Sequence, residues 1–437
     1  MEQRQRLHPL TPLVRSARYL LVAVAAVSWR GLADLGVARW LVAMVCVAVV
    51  AVGISAVSWA VTGFQLAGRE LRIYEGLLSR RTRTIPLERV QTVDVVRPFI
   101  ARLLGLAELR IEVVGAKKTE APLAYLSVGD AARLRERLIA LVAGTAAENA
   151  SEAPAEQPVH AVDNRTLVYG QLLTPQVWSV PVGIAFVVAQ ASADPQWTFI
   201  GMASTLTALI GVFQVPVRRI LNDWNFRIAT DPSGLRLRHG LLSTRSQTIP
   251  PQRVQAARVT WPLLWRPAGW QRTRIDVAGY GEGADSMRAG TLLPIADGET
   301  TRRVTGQVLG GAVGGSAFVD VSALPLSEPP KRARWLAPIA LRYYGIGLTD
   351  DVVAARDGVL TRHLVVVPFA RIQSVRVVQG PLQRRLRLAS VHVDTAGGIR
   401  LIGQHRDADE AYALAATLAS RSRTARPRER DLSIKYD

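Results

Sequence analysis

Hydrophobic positions along the chain follow two rhythms. Over Leu13 to Trp29 and over Ala38 to Val61 they run almost unbroken. The second run is long enough to cross a bilayer as a helix, and the first is just long enough. Trp40 and Trp59 lie near the ends of the second run, where amphipathic rings favour a membrane interface. Arg15 and Arg18 open the first run and can snorkel towards headgroups. A cleaved leader would also begin this way, but the second run follows closely, and the pair predicts a helical hairpin. Further along, Val177 to Ala193 and Thr198 to Val217 are separated only by Asp194, Pro195, Gln196 and Trp197. Pro181, Gln190 and Gln214 interrupt this pair, and lipid tolerates such residues when neighbouring helices satisfy the freed polar groups. A buried soluble hairpin is the alternative for this second pair.

The other rhythm has period two. Leu71 with Ile73, and Leu235 with Leu237, alternate with polar residues as half-buried strands require. Glu75-Gly76, His239-Gly240 and Asp357-Gly358 are turn dipeptides in which glycine accepts positive φ.

These β-rich stretches repeat three times. GLLSRRTRTIPLERVQTV begins at Gly76, GLLSTRSQTIPPQRVQAA at Gly240, and GVLTRHLVVVPFARIQSV at Gly358. Each glycine lies ten residues before a proline: Pro86, Pro250 or Pro368. An Arg-apolar-Gln triplet follows, at Arg89-Val90-Gln91, Arg253-Val254-Gln255 and Arg371-Ile372-Gln373, and then a second proline at Pro98, Pro262 or Pro381. A proline cannot donate to a ladder, so the first of each pair marks a strand end or edge. Each copy closes on a helical pattern with a capping residue at its start: Ser127 to Val142, Asp297 to Leu309, and Asp407 to Ser420. Several antiparallel strands followed by one helix form a unit large enough for its own core.

The predicted layout is a first hairpin in residues 1–62, a β-rich unit over 63–143, and a linker over 144–173. A second hairpin over 174–217, a unit over 218–310, a linker over 311–340, a third unit over 341–420 and a basic tail over 421–437 complete it. Gly144 to Val162 is rich in Ala, Glu and Pro, and Gly310 to Ala333 carries GGAVGGS and PLSEPPK, both compositions of flexible linkers. Lys331-Arg-Ala-Arg334-Trp335 at the end of the latter is either a membrane-surface contact or an ordinary basic linker.

The formal net charge is +19, from 54 Lys and Arg against 35 Asp and Glu, and hydrophobic residues make up 49%. Such charge suits nucleic acid or an anionic membrane surface. Aromatic residues are only 6% and most Trp lie near apolar runs, which argues against nucleic acid. Arg4, Arg6, Arg15 and Arg18 precede the first run, and Arg69, Arg72, Arg80, Arg81 and Arg83 follow the second. Arg218, Arg219 and Arg227 follow the fourth. The excess of arginine on these flanks predicts a multi-pass protein of the plasma membrane with both termini and all large domains in the cytosol. The two arginines between the first two runs point mildly the other way. Cys46 is the sole cysteine, so no disulfide forms within the chain and no zinc site of paired cysteines exists.

The pattern Ile/Val-Pro-x-x-Arg-Val/Ile-Gln, followed by Pro98-Phe-Ile-Ala-Arg102-Leu-Leu-Gly105-Leu106, resembles the bacterial pleckstrin-homology (bPH2) membrane proteins of the YdbS/YdbT type. So does LRYYGIGLTDD before the third copy. The resemblance covers nearly the whole chain and implies three copies of a pleckstrin-homology (PH)-like fold, a bent seven-stranded sheet closed by a C-terminal helix. It also implies envelope-related work alongside a smaller one-domain relative. The second copy departs from the pattern at Arg266-Pro-Ala-Gly269-Trp270 and in an insertion from Gly281 to Gly290. The third has Arg385-Leu-Arg-Leu388 and lacks the glycine.

No catalytic, cofactor-binding or metal-binding constellation emerges. The six histidines have no ligand spacing, Gly279-Tyr-Gly-Glu-Gly283 lacks the lysine and helix of a phosphate loop, and no GxSxG elbow or intramembrane carboxylate is present. His392 and Asp394 alternate on a strand as a surface pair. The candidate contacts to lipid headgroups or partners are Arg80, Arg81 and Arg83 after the first turn, with Arg89, Arg253 and Arg371 recurring in the repeat. Each set has a plain structural reading, a solvated strand face for the first and a hydrogen bond to a carbonyl in the bend for the second. The residues therefore point to a non-enzymatic membrane scaffold. Its expected partners are anionic inner-leaflet lipids and either a smaller relative or further copies of itself. A component of a transport or export complex is the alternative.

Overall fold

The computed structural model describes residues 5–6, 8–9, 11, 38–40, 42, 45–53, 56–57, 59, 62–68, 70–75, 81–87, 90–113, 121–143, 157–174, 180–193, 211, 213–231, 234–278, 290–313 and 318–436. The chain divides into two compact units: Met1–Pro154 with Leu242–Gln247, and Ala155–Leu241 with Thr248–Asp437.

In the first unit, β1 (Gln5–Arg6), β2 (Gly63–Ala67), β3 (Glu70–Glu75) and β4 (Arg81–Pro86) form one antiparallel sheet. A second antiparallel ladder follows, β5 (Val90–Arg97), β6 (Leu106–Val113) and β7 (Ala121–Ser127), and the helix Val128–Ala143 packs on it. The alternation of Leu71 and Ile73 turns both into a core with Phe64, Ile85, Leu109 and Ile111, closed by Ala131 and Leu138 of the helix. Burial of each such aliphatic side chain stabilises by roughly 1.5–3 kcal/mol.

The second unit carries the other two copies, except that Leu242–Gln247, with most of the strand Thr244–Ile249 of copy two, belongs to the first unit. Copy two has β8 (Gln157–Ala161), β9 (Arg227–Asp231), β10 (Gly234–His239) and β11 (Thr244–Ile249). It continues with β12 (Val254–Pro262), β13 (Gln271–Val277), β14 (Thr291–Ala296) and the helix Gly298–Ala312, whose N-cap is Asp297. Copy three has β15 (Gly345–Leu348), β16 (Val352–Asp357) and β17 (Thr361–Pro368), then β18 (Ser374–Val378), β19 (Leu388–Asp394) and β20 (Leu401–Asp407), and the helix Ala408–Tyr436.

The first proline of each copy falls where the chain changes sheet, and the second falls between two paired strands of one sheet. Pro250 and Pro368 end a strand and lead into the 3-10 turns Pro251–Arg253 and Phe369–Arg371. Pro98, Pro262 and Pro381 each open a short helix ahead of the next strand. Gly358 has φ +89°, and a Cβ there would meet the Thr361 carbonyl oxygen, so the Asp357-Gly358 turn requires glycine.

Strand addition recurs within each unit. In the second unit β17 pairs with β12, Arg362 opposite Trp261. In the first unit Thr244 of β11 pairs with Arg97 of β5. Thr244 and Arg362 both lie six residues before the first proline of their copies, and Arg97 and Trp261 both lie one residue before the second. The register is therefore the same at both junctions. It also explains the unbroken apolar runs of β16 and β17. Val352, Ala354, Leu364 and Val366 enter the core of copy two, while Val353, Ala355, Val365 and Val367 enter that of copy three. A strand buried on both faces loses its alternation.

The first strand of each copy is separated from the second by an insert. Gln5 pairs with Phe64, His160 with Ile228, and Ser327 with Ile346. Phe64, Ile228 and Ile346 all lie 22 residues before the first proline, so these are one position of the fold. Among the described residues copies one and two have seven strands each, the number that the resemblance implies. In copy three the first is reduced to the Ser327–Ile346 bridge. The apolar runs expected as hairpins fall inside the first two inserts rather than ahead of the domains.

Among the described residues no helix is long and apolar enough to cross a membrane. The run 13–29 lies outside the described residues, and 38–61 and 198–217 are described only in part. Within 177–193 an apolar helix, Val180–Ala193, is present.

The expected linkers need correcting. Residues 157–172 hold β8 and the helix Asn164–Leu172, because Asp163 caps the helix and β9 offers an edge to β8. The stretch 318–340 packs as well: Val319 and Val321 are buried in the core, and Arg332 pairs with Asp407. The tail expected from residue 421 is helical as far as Tyr436. It continues because Ser422 is buried and Arg426 donates to the Ile372 carbonyl, which ties it to copy three. The tip 279–289 lies outside the described residues.

Candidate functional site

A basic cleft of about 330 Å³ opens on copy two, along β8, β9 and β10. The alternation of LRLRH builds it. Leu235 and Leu237 turn into the core, which sends Arg236 and Arg238 to the other face. Register places Arg238 directly opposite Arg227, and Arg236 opposite Ala229. Like charges facing each other across strands destabilise a sheet, and an anion between them would remove that cost. His160 of β8 completes the wall. Burial holds its imidazole below the ordinary value, against the opposing pull of the Asp297 carboxylate. The Arg227 Nε donates to Asn225 Oδ1 at 3.2 Å.

The cleft is joined to an apolar segment through one short turn. Residues 213–223 are helical, and β9 begins at Arg227. A cluster of charges fixes this helix end. Burial pushes the Asp223 carboxyl up, and the nearby Arg272, His239 and Arg219 oppose the shift. Burial first, and then the neighbouring Arg219, push Arg272 down to about 10, with Asp223 acting the other way. Arg272 donates to the Pro294 carbonyl at 3.1 Å and lies over the Trp265 ring. Below it, Trp265 is buried and donates to the Gly170 carbonyl at 2.8 Å. A Cβ on Gly170 would come 2.4 Å from Ile295 Cδ1 and 3.3 Å from the Trp265 ring, so a side chain there requires Ile295 to shift.

The six arginines singled out from sequence do not gather at this cleft. Arg80 and Arg89 lie outside the described residues, and Arg81 and Arg83 are on β4, with Arg83 exposed. Arg253 and Arg371 lie on the 3-10 turns. Arg371 donates to the carbonyls of Gln252 and Ala312, which ties the turn of copy three to copy two. Asp394 accepts from Arg376 at 2.9 and 3.1 Å and from Ser374, rather than from His392. No cluster of His, Cys, Asp or Glu suited to a metal is found among the described residues. Sequence reasoning passed over Arg236 and Arg238. The signal was present in the alternation of arginine with core leucine, but β9 and β10 had to be paired before Arg227 met Arg238.

Comparison with known proteins agrees with this architecture. The family described as "Bacterial PH domain" matches residues 19–142, 182–312 and 315–422, most of the chain. A curated relative, the UPF0699 transmembrane protein YdbT of Bacillus subtilis (strain 168), is 23% identical over 337 residues. The match covers 67% of this chain and 66% of the relative, just under two thirds of the relative's own length. No solved structure matches the chain. With three matched regions that coincide with three copies of one seven-stranded plan, the chain belongs to the bacterial PH domain family.

Proposed function

We propose that this chain is a non-enzymatic integral membrane scaffold of the cell envelope. Its PH-like copies face the cytosol, where they hold partner proteins and rest on the anionic inner leaflet. The observation that carries the reading is the pairing of Arg227 with Arg238 beside Arg236, on a cleft joined by a short turn to the helix 213–223. Cations held this close to a membrane gain about 1 kcal/mol each from anionic lipid. The printed name of the relative from Bacillus subtilis, a transmembrane protein, supports the placement, as do the apolar runs of the first two inserts. The cleft and the charge excess support a surface that binds anions.

The test uses the full chain in nanodiscs, with phosphatidylglycerol present or with phosphatidylcholine alone. Hydrogen exchange over residues 227–238 is expected to slow only in the anionic discs, and to lose that difference in the Arg227→Ala/Arg236→Ala/Arg238→Ala variant. Equal exchange in both lipids would overturn the anionic-surface reading. Placement is read separately from reporter fusions at Ala150 and Asp194. An extracytoplasmic Ala150 would overturn the orientation.

A further inference from the structure

The three inserts between first and second strands occupy one position of the fold, and the third is unlike the others. In copies one and two the insert holds the long apolar runs. In copy three it is only residues 328–344, between the Ser327–Ile346 bridge and β15. It folds as two 3-10 turns, Lys331–Trp335 and Leu341–Tyr343. Ala333 and Ala337 are buried and hold the insert on its domain. Arg332 is anchored to Asp407 and to the Arg387 carbonyl. Trp335 and Ile339, in contrast, project outward with 74% and 68% of their surface exposed. Lys331, Arg334 and Arg342 are exposed around them, and the Arg334 guanidinium lies 5.8 Å from the Trp335 ring.

An anchored turn that holds a tryptophan and an isoleucine out into solvent among cations presents an apolar tip that another surface can cover. The equivalent inserts of the same chain carry membrane-length apolar runs. The residue types also match a bilayer interface: an indole at headgroup level, an aliphatic tip beneath it, and cations beside anionic phosphates.

We propose that the insert 328–344 is a membrane-contact loop by which the third copy rests on the same bilayer. Trp335 and Ile339 enter the boundary between headgroups and acyl chains, and Lys331, Arg334 and Arg342 lie against anionic headgroups. The inference rests on the membrane placement proposed above. It adds a third attachment to the two inserts with apolar runs, made by a loop that lies on the surface and does not span.

The test uses the full chain with Cys46→Ser and a single introduced cysteine carrying an environment-sensitive fluorophore, reconstituted in liposomes. Ile339→Cys is the reporting site, since its side chain is exposed and its loss removes no core contact. Its fluorescence is expected to be quenched by doxyl-labelled lipid and shielded from aqueous iodide, while Thr424→Cys, exposed about four turns further along the closing helix from the Asp407 anchor, shows the reverse. Adding Trp335→Ser to the Ile339→Cys chain is expected to return the label to iodide. Val49→Cys reports the membrane placement by itself. Lipid quenching at Val49 with iodide quenching at Ile339 would overturn the loop alone. Iodide quenching at both would overturn the loop and the membrane reading together.

Discussion

Arg245 donates to the Asp94 carboxylate at 2.5 Å, with both side chains buried, where Thr244 to Ser246 pair alongside β5. Removing one member of a buried ion pair strands the other, at a cost of about 3–5 kcal/mol, whereas apolar replacement of both is often neutral. Asp94→Ala is therefore expected to lower the unfolding midpoint of the full chain strongly and to speed hydrogen exchange over 242–247. The Asp94→Leu/Arg245→Met double variant is expected to recover most of the loss. Equal destabilisation by single and double variants would mean that the pair is held by packing rather than by charge.

The Trp265 contact separates a hydrogen bond from packing. Trp265→Phe keeps the ring in the core but leaves the Gly170 carbonyl without its indole donor, and is expected to cost about 1 kcal/mol. Trp265→Ala empties the site as well and is expected to cost about 3–5 kcal/mol. Gly170→Ala drives a methyl group into Ile295 and is expected to destabilise too. Chemical denaturation of the three variants checks the order. Gly170→Ala without effect would show that helix 164–172 can slide away.

What the sequence made legible follows from which features are local. The spacing of glycine, proline and Arg-x-Gln placed the turns, strand ends and three closing helices, because each depends on φ limits or a missing N–H within a few residues. The PH-like resemblance came from the same motif. The first strands escaped notice because Gln5, His160 and Ser327 are far along the chain from Phe64, Ile228 and Ile346, and a partner supplied by pairing leaves no periodicity. The linker at 318–340 misled for a related reason. A Gly-, Ser- and Pro-rich composition shows no alternation, yet Val319 and Val321 have a core to enter. The basic cleft needed strand register before its arginines converged.

Acid should weaken the fold through its histidines. Burial is the leading cause that lowers the imidazole pKa of His160, His363, His392 and His405. A histidine with a folded value below its unfolded one binds fewer protons when folded. Its contribution is fully present above the unfolded value of about 6.5 and is lost as pH falls towards the folded value. The Asp297 cap, held below the usual carboxylate range by the Thr300 backbone N–H, is lost only at lower pH. The midpoint for unfolding the second unit is expected to drop as pH falls below the unfolded value of about 6.5. Replacing His363 and His405 with Gln is expected to flatten that slope. An unchanged slope would assign the acid sensitivity to other groups.

Two edge strands, β4 of copy one and β18 of copy three, carry charges that discourage strand addition. Among the described residues β4 and β18 are terminal strands of their sheets. They stand where β11 and β17, and β5 and β12, make the two junctions. On β4, Arg83 and Thr84 are exposed, while their counterparts Gln247, Thr248, Val365 and Val366 are buried. On β18, Ser374, Arg376 and Val378 are exposed, while Asp94 and Val96 of β5 are buried. Arg258 faces Val365, and counted from the first proline of each copy Arg376 and Arg83 hold those two positions, so the two arginines would meet, and like charges there oppose pairing between copies of the chain. Arg83→Thr and Arg376→Thr together are therefore expected to raise self-association. Mass measurements in detergent micelles across a concentration series would show larger species for the double variant than for the parent chain. If the two behave alike, the edges are protected by shape or neighbouring segments instead of by these two arginines.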